Sequence, residues 1–206
     1  MESDRGDAVA GVDLYWLPLG AGERTGIVRA SGRLYEAIAA RRERRAPAPL
    51  FHSALEVQYA GDRYALEMAP VWSGPAAGHG VVCQGPVGAA WLGRWRLFRY
   101  EVRCWRGGSI PDLDHAVGGS QRLSTDPLRA ERLLAVVSDF PAATWGRDEL
   151  GAGEMWNSNS LVAWLLARSG LHPEALAPPC RGRAPGWAAG LVLAAREEQG
   201  RVDPQG

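Results

Sequence analysis

Lysine is missing altogether: all 23 basic residues are arginine, and 23 acidic residues balance them. Arginine in place of lysine reads as genomic base composition and bears on no function. The balance of signs does. With a net charge of zero there is no excess of positive charge for broad binding to nucleic acid or to an anionic membrane, so no nucleic-acid partner is expected. Cysteine is scarce as well. Cys83, Cys104 and Cys180 are odd in number and widely spaced, which fits neither a disulfide framework nor a zinc site. No apolar run approaches the length of a membrane span. The chain opens Met-Glu-Ser-Asp-Arg-Gly-Asp, without a basic and then apolar leader. Together these absences lead to the expectation of a soluble, non-secreted, cytoplasmic protein.

What is present is an ordinary globular composition, 46% hydrophobic and 22% charged, over 206 residues. That length supports one sizeable core, and no repeat or boundary divides it. A single α+β domain over 1–206 is expected, with polar tails at 1–10 and 198–206.

Val12 to Pro18 reads as a first strand. Ser31 is a plausible cap for a helix over 32–44 with Leu34 and Ile38 on its inner face, stopped by Pro47 and Pro49. From Phe51 to Tyr59 apolar residues alternate with polar ones at the period of a half-buried strand. Gly61-Asp62 then suggests a two-residue II′ turn. That turn pairs Tyr59 with Tyr64, Val57 with Leu66, Leu55 with Met68 and Glu56 with Glu67. Residues 73–94 read as a long irregular excursion that could cover a cleft, and 96–105 as a further strand. Asp126-Pro127 is a helix start. A second, largely buried helix opens at Asn157–Ser160 and ends at Gly170. Residues 186–195 fit helix or strand equally. The expected sheet is antiparallel, with strands near 12–18, 50–59, 63–70 and 96–105.

Two places could carry chemistry. Asn157, Ser158, Asn159 and Ser160 are all favoured helix caps, and one would suffice. A hydroxyl there lies at the positive end of the helix dipole, which stabilises an oxyanion. His52 opens the hairpin strand, on the face opposite the apolar one. His79, His115 and His172 have no partner at ligand spacing, so neither a metal nor another cofactor is expected. Glu56 is no orienter for His52, since four strand residues put it roughly 13 Å along the strand.

A first strand, then Phe51-His52-Ser53-Ala54-Leu55-Glu56-Val57 opening a hairpin, then much later a helix beginning Asn157-Ser158-Asn159 resembles the circularly permuted papain-like enzymes. Within them it looks most like the PPPDE, or desumoylating isopeptidase-like, group, which carries His-x-Gly/Ala-Val/Ile-Glu-Val and Asn-Cys-Asn-x-Phe. The resemblance implies an antiparallel sheet packed on a central helix. It implies catalysis by a thiol and a histidine on an amide, isopeptide or ester, with Ser158 at the nucleophile position, His52 as base, and Asn157 and Asn159 beside them. Lecithin retinol acyltransferase-like enzymes are related permuted folds. Ser158 in place of cysteine, and Leu161 in place of the aromatic residue, depart from the pattern. Two readings therefore stand: a hydrolase or acyltransferase using Ser158, or a catalytically silent relative whose cleft binds a peptide or protein. An unrelated α+β domain of structural role is a third.

Overall fold

The computed structural model describes residues 10–21, 27–71, 80–110 and 112–202. Among them the fold is α+β: six strands form one sheet in which every neighbouring pair is antiparallel, accompanied by four α-helices. The strands are β1 (Gly11–Pro18), β2 (Phe51–Tyr59), β3 (Asp62–Pro70), β4 (Val81–Pro86), β5 (Arg99–Arg106) and β6 (Ser120–Ser124), in the order β4-β5-β3-β2-β1-β6. The helices are α1 (Ile27–Arg42), α2 (Pro127–Val136), α3 (Ser158–Arg168) and α4 (Trp187–Val202).

The hairpin lies where the sequence puts it, with a different turn. Ala60 and Gly61 both have positive φ, 52° and 83°, so the two-residue loop is Ala60-Gly61 in the I′ sense. Tyr59 pairs with Asp62, Val57 with Tyr64 and Leu55 with Leu66. The slip moves each β3 partner by two residues, and side chains alternate with period two, so every residue keeps its face. Glu56 consequently pairs with Ala65 rather than Glu67. Glu67 instead accepts from Arg103, which also bonds Glu101.

One face of the sheet carries the core. Val12, Leu14 and Trp16 of β1 join Phe51, Leu55 and Val57 of β2 against α3, whose residues Ser158 through Leu166 are all buried. A helix this apolar is buried on most sides. The other face carries a smaller cluster of Leu17, Ala54, Ala65 and Ile110, packed against Leu113 and Ala116.

Several sequence expectations need correction. β4 and β6 lie in stretches read as irregular or unassigned, because short strands at a sheet edge have little apolar periodicity. The excursion expected at 73–94 is part strand, with 3-10 turns at Ala90–Arg94 and Arg96–Phe98; residues 73–79, His79 included, lie outside those described. The strand expected from 96 begins at Arg99, and the segment at 186–195 is helix. α4 continues through the expected tail at 198 to Val202, while 1–9 and 203–206 lie outside the described residues.

α1 begins before Ser31, and its large apolar side chains Leu34 and Ile38 face outward. Gly32, Glu36 and Ala40 are buried, whereas Leu34 is 64% exposed and Ile38 is exposed too. The helix is held through a carboxylate. Glu36 receives the Arg45 guanidinium and, at 2.8 Å, the Ala48 N–H. A charge removed from water needs such partners, and they choose the buried face here against the apolar pattern.

α3 and α4 cross at close quarters. A Cβ on Gly190 would stand 2.3 Å from the Ser160 carbonyl oxygen and 2.9 Å from the Trp164 nitrogen, both backbone atoms of α3. Gly190→Ala is expected to lower the unfolding free energy by roughly 1–3 kcal/mol, as overpacking does. Chemical denaturation checks this, and unchanged stability would mean that the crossing is looser than described.

Candidate functional site

The capping run at the start of α3 is almost wholly occupied by structural work. The Asn157 side-chain oxygen accepts from the N–H groups of Asn159 (2.9 Å) and Ser160 (3.4 Å), and the Ser160 hydroxyl accepts from the Asn157 N–H (3.1 Å). This is a reciprocal capping box. Asn157 also donates to the Pro185 carbonyl at 2.8 Å, and Ser160 to the Gly186 carbonyl at 2.8 Å. The turn that leads into α4 is thereby fixed to the start of α3.

Asn159 does something that no cap requires. Its side-chain N–H₂ donates to the carbonyls of Phe51 (3.0 Å) and Pro185 (2.9 Å), and its oxygen accepts from the Ser53 hydroxyl at 2.9 Å. The amide thus grips β2 at the residues on either side of His52. All of these groups are buried, where an unmade bond costs most.

Ser158 is the exception. It is 8% exposed, and among the described residues its side chain makes no hydrogen bond. It borders a cavity of about 400 Å³ together with His52, Asn157 and Asn159. Leu50, Phe51 and Pro70 form apolar walls, Tyr35 closes it from α1, and Val87, Trp145 and Pro185 complete it. The positive end of the α3 dipole faces the same space.

His52 pairs with Leu17 at the open end of the β1–β2 ladder. By strand alternation it shares a face with Ala54 and Leu17, opposite the face from which Ser53 reaches Asn159. Burial pushes its pKa down to about 4; the Asp112 carboxylate acts in the other direction and is the weaker influence. The ring is therefore neutral at pH 7. No hydrogen bond joins it to Ser158 or to a carboxylate among the described residues.

The structure thus brings all four sequence-derived candidates, Ser158, His52, Asn157 and Asn159, to one cavity, and gives the two asparagines tethering and capping roles. His115 and His172 stay apart. His115 borders a larger neighbouring cavity of about 710 Å³ beside α1, and His172 pairs with Glu174 on the surface. Among the described residues no group of three or more His, Cys, Asp or Glu side chains stands where it could hold a metal ion, and no helix is long and apolar enough to cross a membrane. Sequence reasoning missed Tyr35, Trp145 and Pro185 as cavity walls and Pro185 as the second anchor of Asn159. No local pattern marks these positions, because only chain folding brings them to α3.

No protein-family model matches the chain, and neither do any of the curated proteins or solved structures compared with it. The geometry alone therefore speaks for the site.

Two outcomes are expected. Asn159→Ala would strand the Phe51 and Pro185 carbonyls and the Ser53 hydroxyl, at a cost of roughly 2–4 kcal/mol. Ser158→Ala, which breaks no bond, would leave stability within about 0.5 kcal/mol of wild type. Thermal or denaturant unfolding compares them, and equal losses would contradict the division of labour. For His52, NMR titration of the ring is expected to give a midpoint near 4. A base whose pKa is lowered by folding takes up its proton more readily when unfolded. Stability is then complete above about pH 6.5 and declines as pH falls from there toward 4. A midpoint near 6.5 would show that the ring is solvated.

Proposed function

We propose that the chain is a circularly permuted papain-like protein of the PPPDE type whose cleft binds a peptide or protein segment without thiol-type acyl transfer. The observation that carries this reading is the state of the nucleophile position. Ser158 stands at the helix start with a hydroxyl that no base engages among the described residues. Serine needs a base within hydrogen-bond reach, some 2.6–3.2 Å, because its hydroxyl is not appreciably ionised near neutrality. A ring whose pKa is pushed down to about 4 is a poor proton acceptor, and among the described residues no carboxylate bonds to it. The antiparallel sheet, the histidine at the opening of the central hairpin and the buried helix beginning Asn-Ser-Asn support the fold assignment. The cleft itself, largely apolar with a few buried polar groups at one end, is suited to holding a short stretch of chain.

A second reading has one observation in its favour: Ser158, alone in its run, has a side chain without a hydrogen-bond partner among the described residues, and it borders the cavity that also holds His52. On that reading the Ser158 oxygen attacks an ester or amide carbonyl carbon, its proton passes to His52, and the Ser158 N–H holds the oxyanion, since the Asn159 and Ser160 N–H groups are taken by the Asn157 cap. His52 then returns the proton to the departing alcohol or amine.

Labelling with a fluorophosphonate, read by intact mass, separates the two. No adduct on wild type is expected. A single adduct lost in both Ser158→Ala and His52→Ala would establish an activated serine and sink the silent reading. A companion variant keeps a negative result informative. The thiol of Ser158→Cys is expected to react with iodoacetamide no faster when His52 is present than in Ser158→Cys/His52→Ala. Peptides enriched from a displayed random library should bind wild type and bind Tyr35→Ser at least tenfold more weakly.

A further inference from the structure

We propose that the aromatic and arginine-bearing turns between β4 and β5 form a docking surface for an anionic lipid bilayer. This inference is independent of the reading given for the cleft. The segment is Trp91-Leu92-Gly93-Arg94-Trp95-Arg96-Leu97-Phe98, folded as two consecutive 3-10 turns in which no residue is buried. Trp91 and Leu97 are each 63% exposed, and Trp95 and Phe98 are exposed beside them. Apolar area of this size in one short stretch contributes nothing to the core and is unusual on a surface that faces only water.

The rings are assembled in advance. Trp91 and Trp95 meet edge to face at 5.8 Å, and Trp95 and Phe98 at 6.5 Å. The Arg94 guanidinium lies 3.9 Å over the Trp95 ring. Arg96 forms no hydrogen bond or ion pair among the described residues. Arg99 closes the turn on the Gly93 carbonyl and adds a cation at the edge of the patch, while Arg147, which donates to the Gly88 carbonyl at 2.8 Å, is offset by the adjacent Asp148 and Glu149. No aspartate or glutamate occurs from Val81 to Tyr100. A chain of zero net charge thus has a locally cationic surface, and whole-chain charge is the wrong measure for it.

The chemistry selects the partner. Tryptophan and arginine on one projecting surface, with Leu and Phe between them, suit the headgroup boundary, where indole rings lie at the interface and cations meet lipid phosphates and carboxylates. The cavities described above are bordered by other residues, so the patch offers a surface rather than a cleft to a partner. Contact is interfacial, since no described helix is long and apolar enough to span.

Co-sedimentation of the full chain with sucrose-loaded vesicles tests this. Vesicles of phosphatidylcholine and phosphatidylserine at about three to one should bind the protein, pure phosphatidylcholine vesicles much less, and raised salt should weaken binding. Trp91→Ser/Trp95→Ser and Arg94→Gln/Arg96→Gln should each lower the partition coefficient about tenfold or more. Leu128→Ser, at another exposed apolar position (69%), should leave it unchanged. Circular dichroism melts confirm folding, which these variants preserve because the turns bury nothing. Absence of wild-type binding to the phosphatidylserine vesicles would overturn the proposal, as would binding that survives both double substitutions. Equal affinity for soluble polyglutamate, without a blue shift of tryptophan emission on vesicles, would point to an acidic protein partner and would overturn it too.

Discussion

One carboxamide determines where the pieces of this site lie. Asn159 emerges from the first turn of α3, yet its three strong bonds go to residues over a hundred positions earlier in β2 and to the turn before α4. Because these bonds are buried, the amide has no water to fall back on, and the start of α3 has a single position relative to the sheet. Asn157 and Ser160 complete the attachment by satisfying one another and the 185–186 turn. Close packing of Gly190 on the α3 backbone then fixes the second helix.

This arrangement leaves a sharp contrast at the cavity. Every polar side chain in the capping run except Ser158 has a structural partner, and burial lowers the basicity of the His52 ring. A site built for acyl transfer ordinarily couples its nucleophile to a base and the base to an orienting group. Here the helix dipole points at the cavity, but the Asn159 and Ser160 N–H groups are taken up by the Asn157 cap, and among the described residues no such chain of hydrogen bonds runs through Ser158 and His52.

Outside the cavity, the described residues display apolar side chains where the fold does not use them, on α1 and in the turns at 90–98 among other places. α1 faces outward with Leu34 and Ile38 because Glu36 and its arginine partner decide which side is buried. The turns at 90–98 expose tryptophans and a phenylalanine, and no residue of either turn is buried. Both show that a hydrophobic pattern states what can be buried, while neighbours determine what is.

The α+β class, the central hairpin and the buried helix opening at Asn157 were legible in the residues, whereas only the family resemblance set His52 beside the start of that helix. Each depends on a local pattern: alternation of period two, a cluster of caps before an apolar run, or a glycine after it. Faces survived even where the turn was misplaced, since a slip of two residues does not change parity. The edge strands β4 and β6, the outward apolar face of α1 and the roles of the two asparagines were decided by tertiary structure. Edge strands are held by ladder bonds to a neighbour rather than by their own pattern. A buried glutamate is stable only where an arginine and a backbone N–H from elsewhere in the chain reach it. An asparagine that looks like a cap becomes a tether only once a distant strand offers it a carbonyl and a hydroxyl.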